Sequence, residues 1–324
     1  MIVTLTPNPS IDATLALGQE LDPGAVNRAS EISYIAGGKG INVSRTLHLA
    51  GVNTLALFPA ARKDPFVMLM AGTGVPYEAL TPEHPTQVRT NATLTDAAGE
   101  TTKINGPGQP LTAADVEALL QRADDALDDA DAIVMAGSLP PGVPEDFYVR
   151  AVDSLHAHHP DTLIAVDTSD HALRALTALR GVEHPSPILL APNSAELGQI
   201  VSCDGEALEQ SALAGDLDPV CAAAHRVRDC GATEVLVTLG EAGALLLADE
   251  GCWHAAGPAV EVHSTVGAGD ACLAGYLMER ARGSAPTVCL RTAVAYGSAA
   301  TALPGTILPG PDDIHAEHAT VVAV

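Results

Sequence analysis

One segment near the C-terminus sets a carboxylate behind two glycines at the start of a stretch with helical spacing of apolar residues. The segment reads Ser264-Thr265-Val266-Gly267-Ala268-Gly269-Asp270 and continues directly into residues 271–278. Glycines allow a sharp turn, and the free N–H groups and positive dipole of a helix start attract phosphate oxygens. Asp270 could accept a proton from a hydroxyl beside such an anion site, which favours phosphoryl transfer to an alcohol. A plain glycine turn with Asp270 as a helix cap explains the segment equally well by itself.

A second glycine turn carries a cation and also leads into helical spacing. It reads Gly37-Gly38-Lys39-Gly40 and precedes residues 41–47. The turn is not a Walker A loop, because Ser33 occupies the first glycine position of that motif and Gly40 follows the lysine. The chain also lacks a G-x-G-x-x-G fingerprint at the required place, which disfavours a nicotinamide-dependent oxidoreductase.

Lysine is scarce in this chain, which contains only Lys39, Lys63 and Lys103. We expect Lys39 and Lys103 at the site, joined there by Arg28 and Arg89. In a chain with a net charge of -24, a convergence of cations predicts an anionic substrate, because Lys and Arg donate charge-assisted hydrogen bonds to phosphate. The alternative is that each cation pairs with a nearby carboxylate.

Three further polar residues each allow two interpretations. Asn193 and Glu196, three residues apart at a predicted helix start, could hold a hydrated magnesium ion. The same spacing is that of an ordinary capping box. Asp12 could accept hydrogen bonds from sugar hydroxyls, or it could cap a turn.

The elements that must position these residues alternate between short apolar runs and amphipathic stretches. Buried strands are predicted at residues 2–5, 54–58, 133–136, 163–166, 188–191, 235–239 and 244–248. Helices are predicted at residues such as 112–127, with Thr112 as N-cap, and 219–228. This alternation predicts an α/β fold with a largely parallel, doubly wound sheet.

Polar and glycine-rich segments directly follow the predicted strands. They occupy residues 6–8, 137–142, 167–169, 192–193 and 240. In open α/β sheets ligands bind beyond the carboxyl ends of the strands. The positions of these segments therefore favour an enzyme over a plain helix cap at Asp270.

Four further predicted strands depart from this pattern because they are more polar. They are predicted at residues 13–17, 31–35, 88–95 and 100–105, with Gly or Asp turns between them. We interpret them as a small sheet, inserted at about residues 12–36 and 87–107, that acts as a lid. The prediction is one domain over residues 1–324 with this lid.

Composition excludes several classes of protein. The net charge of -24 argues against a nucleic-acid groove and against an anionic membrane surface. The six cysteines form no C-x-x-C pair, so neither a zinc knuckle nor a redox dithiol is indicated. No basic leader or long apolar run is present, which predicts a cytoplasmic protein.

Together these segments resemble the PfkB (ribokinase-like) carbohydrate kinases. Residues 37–43 are similar to the first signature of that family, and residues 265–271 to the second. Residues 4–12, 88–91, 137–142 and 304–306 are most similar to the branch of 1-phosphofructokinases, tagatose-6-phosphate kinases and minor 6-phosphofructokinases. The resemblance implies a ribokinase-like fold and transfer of a phosphoryl group from ATP, with Mg2+, to a sugar phosphate.

The resemblance also implies roles for single residues. Asp270 would be the catalytic base, with the N–H groups of Gly267, Ala268 and Gly269 stabilising the transferring phosphoryl group. The substrate positions would be Asp12, Arg28, Gly38, Lys39, Asn42, Arg89, Lys103 and Ser138. The positions for ATP would be Asn193, Glu196, Thr238, Gly240 and Gly243, of which Asn193 and Glu196 would act on magnesium. A base that acts late in a loose transition state needs only an ordinary carboxylate pKa.

Two departures from the family pattern are visible. Ala191 stands where relatives usually have a lysine, and residues 59–66 lack the glycine-rich loop common on the sugar side.

The expected reaction converts D-fructose 1-phosphate to D-fructose 1,6-bisphosphate. The alternatives are tagatose 6-phosphate or fructose 6-phosphate as acceptor, an unphosphorylated sugar or nucleoside, or a sugar-phosphate-binding regulator without catalysis. We also expect a homodimer formed through the lid strands, since exposed strands pair readily with a second copy.

Overall fold

Two sheets of unequal size organise the protein. The structure is a computed structural model, and it describes residues 1–179 and 187–324. Its strands are β1 (Ile2–Leu5), β2 (Ser10–Leu17), β3 (Ala29–Gly37), β4 (Thr54–Pro59), β5 (Tyr77–Leu80), β6 (Arg89–Thr95), β7 (Thr101–Asn105), β8 (Ala132–Ala136), β9 (Leu163–Asp167), β10 (Ile188–Leu190), β11 (Glu234–Thr238), β12 (Ala244–Ala248), β13 (Gly251–Ala256) and β14 (Thr320–Ala323).

The large sheet has the order β14-β13-β12-β11-β10-β9-β8-β1-β4-β5 among the described residues. Neighbouring strands from β11 to β5 are parallel, and β12, β13 and β14 each pair antiparallel with the preceding strand. The main polar segments therefore follow parallel strands whose carboxyl ends lie at one edge.

Helices cover both faces of the large sheet. They are α1 (Lys39–Leu49), α2 (Pro65–Thr73), α3 (Ala113–Leu127), α4 (Phe147–His158), α5 (Asp170–Ala175), α6 (Ser194–Val201), α7 (Gly205–Leu213), α8 (Asp218–Arg228), α9 (Ala268–Ala281) and α10 (Pro286–Thr301). Alternate residues of β1 enter different cores, because successive strand side chains point to opposite faces. Val3 and Leu5 join the core with α3, α4 and α8, while Ile2 joins the core with α1, α9 and α10.

The sequence prediction of an α/β, mainly parallel, doubly wound fold is confirmed. All seven predicted strands of the large sheet end within one residue of their predicted bounds. Thr112 caps α3 in a capping box with Asp115, as its position predicted. The strands β5, β13 and β14 were not predicted. All three are partly exposed, and Glu78 and His254 interrupt the apolar runs of β5 and β13.

The small sheet, called the lid below, is formed by β2, β3, β6 and β7 in the order β3-β2-β6-β7. Its two faces differ in chemistry, as the strand register shows. One row across the sheet consists of Tyr34, Ala13, Ala92 and Ile104, and the adjacent row on the other face consists of Ile35, Asp12, Asn91 and Asn105. The predicted small sheet is therefore present, and the single-domain organisation stays a prediction.

Within the described residues, no helix combines the length and the apolar character needed to cross a membrane.

Candidate active site

Asp270 lies in the first turn of α9, directly after the predicted glycine turn. Gly267 precedes the helix with a φ of 79°, a left-handed conformation that favours glycine over residues with a Cβ. The side chain of Asp270 is buried, and its Oδ2 accepts a hydrogen bond of 2.8 Å from Nδ2 of Asn42. The glycine turn, the helix start and the carboxylate thus form one unit.

This helix start borders a cavity of about 410 Å³ at the carboxyl ends of the strands. Gly267, Gly269 and Asp270 line one side of it. Residues from the other strand ends and from the lid complete the wall, among them Lys39, Lys103, Asp167, Ala191, Asn193, Glu196 and Thr238. Segments that are distant in sequence therefore converge where the strand-end pattern predicted.

Lys39 joins two buried carboxylates at the floor of the cavity. Its Nζ lies 2.5 Å from Oδ1 of Asp167 and 3.3 Å from Oε1 of Glu196. Burial by itself lowers the pKa of Lys39, but the charges of Asp167, Glu196 and Asp270 outweigh it and raise the pKa above its ordinary value. Lys39 therefore stays charged, and the alternative of pairing with local carboxylates holds for this cation. We call Lys39, Asp167, Glu196 and Asp270 the strand-end cluster.

The carboxyl group of Asp270 does not keep an ordinary pKa. Burial, and next the negative charge of Asp167, raise the pKa of Asp270 to about 7. The charge of Lys39 and the hydrogen bond from Asn42 oppose this increase. The sequence indicated only that an ordinary carboxylate pKa is adequate for a base that acts late, and it could not reveal how completely this carboxylate is withdrawn from water. Whether the raised pKa matters for catalysis stays a prediction.

Asn193 and Glu196 form the capping box that their spacing allowed. Oδ1 of Asn193 accepts from the N–H of Glu196 at 2.8 Å, and Oε2 of Glu196 accepts from the N–H of Asn193 at 2.9 Å. Burial and the nearby Asp167 raise the pKa of Glu196, against the effect of Lys39. The box thus fixes a carboxylate that also lines the cavity.

The oxygen atoms of this wall fit a hydrated magnesium ion. Asp167, Glu196 and Asn193 all line the cavity, and Mg2+ prefers one or two such oxygen ligands while it keeps several waters. Among the residues described, no group of three or more His, Cys, Asp or Glu side chains is arranged to hold a metal ion. A bound ion would therefore depend on water and on phosphate oxygens for its remaining ligands.

Asp12 lies at the base of the lid. Its Oδ1 accepts hydrogen bonds from Oγ of Ser10 at 2.7 Å and from Nδ2 of Asn91 at 3.2 Å. Burial raises the pKa of Asp12. A Cβ at Gly37 would lie only 2.0 Å from Asp12, so the first glycine of the turn before α1 is needed for this approach. Gly38 then provides the N-cap of α1.

The four cations expected at the site have different environments. Arg89 donates to the carbonyls of Gly106 and Asn8, both at 3.1 Å. Oγ of Ser138 accepts a hydrogen bond from Nδ2 of Asn8 at 3.2 Å.

The other two lid-side cations are more exposed. Lys103 lies on the exposed strand β7 and lines the cavity, whereas Arg28 lies in the exposed loop between β2 and β3. In the parts of the chain that the structure describes, Arg28 and Lys103 form no ion pair or side-chain hydrogen bond. The structure therefore brings Lys39 and Lys103 to one cavity and does not bring Arg28 there.

The segment 59–66, which lacks the expected glycine-rich loop, has a different function in the fold. Oδ1 of Asp64 accepts from the N–H of Phe66 and caps α2, while Oδ2 accepts from the N–H of Val88, both at 2.8 Å. This buried carboxylate therefore fixes the chain just before β6, the lid strand that carries Arg89 and Asn91.

The residues expected on the nucleotide side lie where β11 ends. Thr238 is the last residue of β11 and lines the cavity. Gly240 begins a short 3-10 turn, Gly240–Ala242, and Gly243 follows it before β12. The structure therefore places Thr238 on the cavity wall and both glycines in the adjoining turn.

Comparison with known proteins identifies the family. The model of the pfkB family carbohydrate kinases matches residues 6–313. The chain belongs to this family. It is thus a phosphotransferase that acts on an alcohol group of a carbohydrate.

Individual members of the pfkB family are similar over nearly the whole chain. The 1-phosphofructokinase of Haloferax volcanii is 34% identical, with 99% of each chain covered. The ATP-dependent 6-phosphofructokinase isozyme 2 of Escherichia coli is 31% identical, with 96% of each chain covered. A crystal structure of phosphofructokinase-2 from Escherichia coli in complex with potassium has a TM-score of 0.83 at 31% identity, with 96% of each chain covered.

Two polar groups of this pfkB family site were not among the predicted site residues. Asp167 contacts Lys39 directly, and Asn91 contacts Asp12. Asp167 carried a usable signal, because it is a carboxylate that directly follows the apolar run 163–166. Asn91 lies in the segment 88–91 that contributes to the family resemblance, but by residue type alone a polar residue on a partly exposed lid strand looks like any solvated one.

Proposed function

We propose that this protein transfers the γ-phosphoryl group of ATP to D-fructose 1-phosphate and forms D-fructose 1,6-bisphosphate. The observation that carries the proposal is Asp270, a buried carboxylate in the first turn of α9 beside a cavity that also contains Lys39 and Lys103. A base, a helix start and cations around one cavity suit an anionic acceptor with a free hydroxyl.

In this mechanism the oxygen of the acceptor hydroxyl bonds to the γ-phosphorus of ATP while Asp270 takes the hydroxyl proton. ADP is the leaving group. The bond from Asn42 holds one carboxylate oxygen, so the other can face the hydroxyl. A pKa near 7 keeps an appreciable fraction of Asp270 ionised at neutral pH and makes it a stronger base than an ordinary carboxylate.

The turn before α9 would stabilise the transferring group. The N–H groups of Gly267, Ala268 and Gly269 are our candidates, although the N–H of Ala268 also lies 3.4 Å from the carbonyl of Thr265. Thr238, Gly240 and Gly243 would border the nucleotide, with Asn193 and Glu196 directed to its phosphates through hydrated Mg2+. When bound, the ion would neutralise charge on the phosphates of ATP.

The acceptor would bind between the strand ends and the lid. Asp12, Gly38 and Asn42 would contact the sugar, and Lys103 is the cation best placed to meet the phosphate that the sugar already carries. Arg89 and Ser138 would support that region through Asn8. Arg28 would reach the phosphate only after movement of its loop.

The choice of fructose 1-phosphate follows the relatives. A protein named 1-phosphofructokinase is 34% identical, and one named ATP-dependent 6-phosphofructokinase isozyme 2 is 31% identical. Fructose 6-phosphate is therefore the second candidate, followed by tagatose 6-phosphate. Steady-state release of ADP with each of these acceptors, and with free fructose, decides between them.

The expected order of kcat/KM is fructose 1-phosphate first, the two 6-phosphates next and free fructose last. A preference for free fructose would contradict the use of Lys103 for a phosphate. If none of the acceptors in the panel led to release of ADP, the result would favour the non-catalytic regulator.

The proposal includes a cytoplasmic homodimer formed through the lid. The apolar lid face exposes Ile32, Tyr34 and Ile104, which are 49%, 56% and 60% exposed, and an unpaired apolar face of this kind favours burial against a second copy. Light scattering of wild type and of the double variant Tyr34→Asp, Ile104→Asp tests it. A dimer that the double substitution leaves intact would contradict the lid interface.

A further inference from the structure

Two cysteines that are distant in sequence are in contact in the fold. Cys221 lies in α8 and Cys252 in β13, and the thiol of Cys221 donates a hydrogen bond to Sγ of Cys252 at 3.2 Å. Both side chains are half-buried and pack against the same apolar core. The other cysteines differ in environment, because Cys203 is exposed and Cys230, Cys272 and Cys289 are buried.

The elements that carry this pair are already fixed by the core. Helix α8 packs on β11 and β12, and residues 251–255 of β13 pair with β12. A disulfide joins sulfur atoms about 2.0 Å apart, so these two must approach by roughly 1 Å. Such a movement is within reach of side-chain rotation and needs no rearrangement of the strands.

We propose that Cys221 and Cys252 form a reversible intramolecular disulfide in the presence of a low-molecular-weight disulfide. In the first step the thiolate of one cysteine attacks the small disulfide, forms a mixed disulfide and releases one small thiol. In the second step the other cysteine attacks the protein sulfur of the mixed disulfide and releases the second small thiol. Two protein thiols are oxidised, and one small disulfide is reduced to two thiols.

The environment of the pair sets how readily it reacts. Burial, together with the neighbouring Cys221, raises the pKa of Cys252 to about 12. Because the thiolate is the attacking species, Cys252 is a poor first nucleophile near neutral pH. Whichever cysteine forms the mixed disulfide, the other lies 3.2 Å away and can complete the bond from that position.

The new bond would close a loop that contains β11, the turn Gly240–Ala242 and β12. A cross-link of this kind limits the unfolded chain and stabilises the folded state. Its position leaves the cavity untouched: Cys252 is opposite Leu247, which pairs with Val235 near the start of β11, whereas Thr238 lies at the other end of that strand. Oxidation should therefore raise thermal stability without loss of kinase activity.

The experiment treats the full-length wild-type protein with oxidised glutathione and analyses it by intact mass and peptide mapping. The wild type should lose the mass of two hydrogen atoms and yield a linked peptide pair containing Cys221 and Cys252, in addition to any glutathione adduct on exposed Cys203. The melting temperature should rise by about 5 °C, and dithiothreitol should reverse the change.

Three variants serve as controls. Cys203→Ser should keep the linked peptides and the rise in melting temperature, whereas Cys221→Ser and Cys252→Ser should lose both. Glutathione adducts on Cys221 without a linked pair, or linkage of either cysteine to a different partner, would overturn the proposal. A linked pair that leaves the melting temperature unchanged or lower would overturn the stabilising effect. These readouts do not depend on the sugar acceptor.

Discussion

The strand-end cluster and the lid residue Lys103 line the same cavity, but their side chains differ in how many partners hold them. Lys39, Asp167, Glu196 and Asp270 are held by helix starts, ion pairs and hydrogen bonds between side chains that are mostly buried. On the lid, Lys103 lies on an exposed strand and, within the residues that the structure describes, has no ion-pair partner.

In the proposed function, this difference separates reacting groups from recognition groups. Groups that act on a transition state gain from being fixed in advance, because no reorganisation is then needed during the reaction. A cation that recognises a substrate can instead stay solvated until its anion arrives. The comparison predicts that substitutions in the cluster reduce turnover and that substitutions on the lid weaken acceptor binding.

The largest effect is expected for Asp270→Asn. Loss of the base should lower kcat by about 10³-fold, with the acceptor still bound.

The same substitution, Asp270→Asn, should raise the free energy of unfolding at neutral pH. The folded-state pKa of Asp270 is about 7 and the ordinary value is 3.8, so the folded protein binds this proton more tightly than the unfolded chain. Ionisation therefore removes stability as pH rises towards and through 7, and an asparagine cannot ionise.

Kinetics and thermal unfolding at pH 8 check both expectations. Asn42→Ala is the comparison variant, because it keeps the carboxylate and removes its hydrogen bond. Turnover of Asp270→Asn within tenfold of wild type would contradict the base role. A melting temperature below that of wild type would contradict the cost of ionising Asp270.

The next effect is expected for Lys39→Met, which leaves the cluster carboxylates without their cation. We expect kcat/KM to fall by about 10²-fold and the protein to become less stable, since the remaining buried charges lose their partner. Lys39 also lowers the pKa of Asp270, so the acidic limb of the pH profile should move to higher pH.

Lys39→Arg is the matched control, because it keeps the charge. Its pH profile should stay close to that of the wild type, even if its activity is reduced. A profile for Lys39→Met that is unshifted would mean that the cluster is not electrostatically coupled to Asp270.

These two regions also differ in how far the sequence predicts them. Alternation of apolar runs located every parallel strand of the large sheet except the edge strand β5, because burial on both faces leaves a clear signal. Glycine turns located Asp270 and Lys39, because the positive φ of Gly267 and the close contact of Gly37 with Asp12 both favour glycine. The partner of Lys39 and the pKa of Asp270 could not be predicted, because both depend on contacts between residues more than a hundred positions apart.

The lid was harder to interpret. Its strands were predicted, yet Arg89 contacts carbonyls rather than an open cavity, and Arg28 lies apart from the site. Long cationic side chains in and around the lid leave no pattern in sequence that separates a ligand contact from a contact with the protein or with water.

A tenfold effect is expected for wild type when pH alone is changed. The base must be ionised, so kcat/KM should fall about tenfold per pH unit below roughly 7, the value to which burial raises the pKa of Asp270. A plateau should follow above this range. A profile that stays flat down to pH 5 would show that an ordinary carboxylate pKa is sufficient and that the raised pKa has no effect on catalysis.

The smallest effect is expected on the lid, for Lys103→Ala. Loss of one charge-assisted hydrogen bond should raise KM for fructose 1-phosphate by up to about tenfold and leave kcat within about twofold. Activity towards free fructose should not change, because that sugar has no phosphate for Lys103 to meet. Lys63→Ala provides the matched control, since Lys63 is also exposed but lies outside the cavity. If Lys103→Ala reduced activity equally with fructose 1-phosphate and with free fructose, Lys103 would support the lid itself. The proposed contrast, in which the cluster carries out the reaction and the lid binds the acceptor phosphate, would then be wrong.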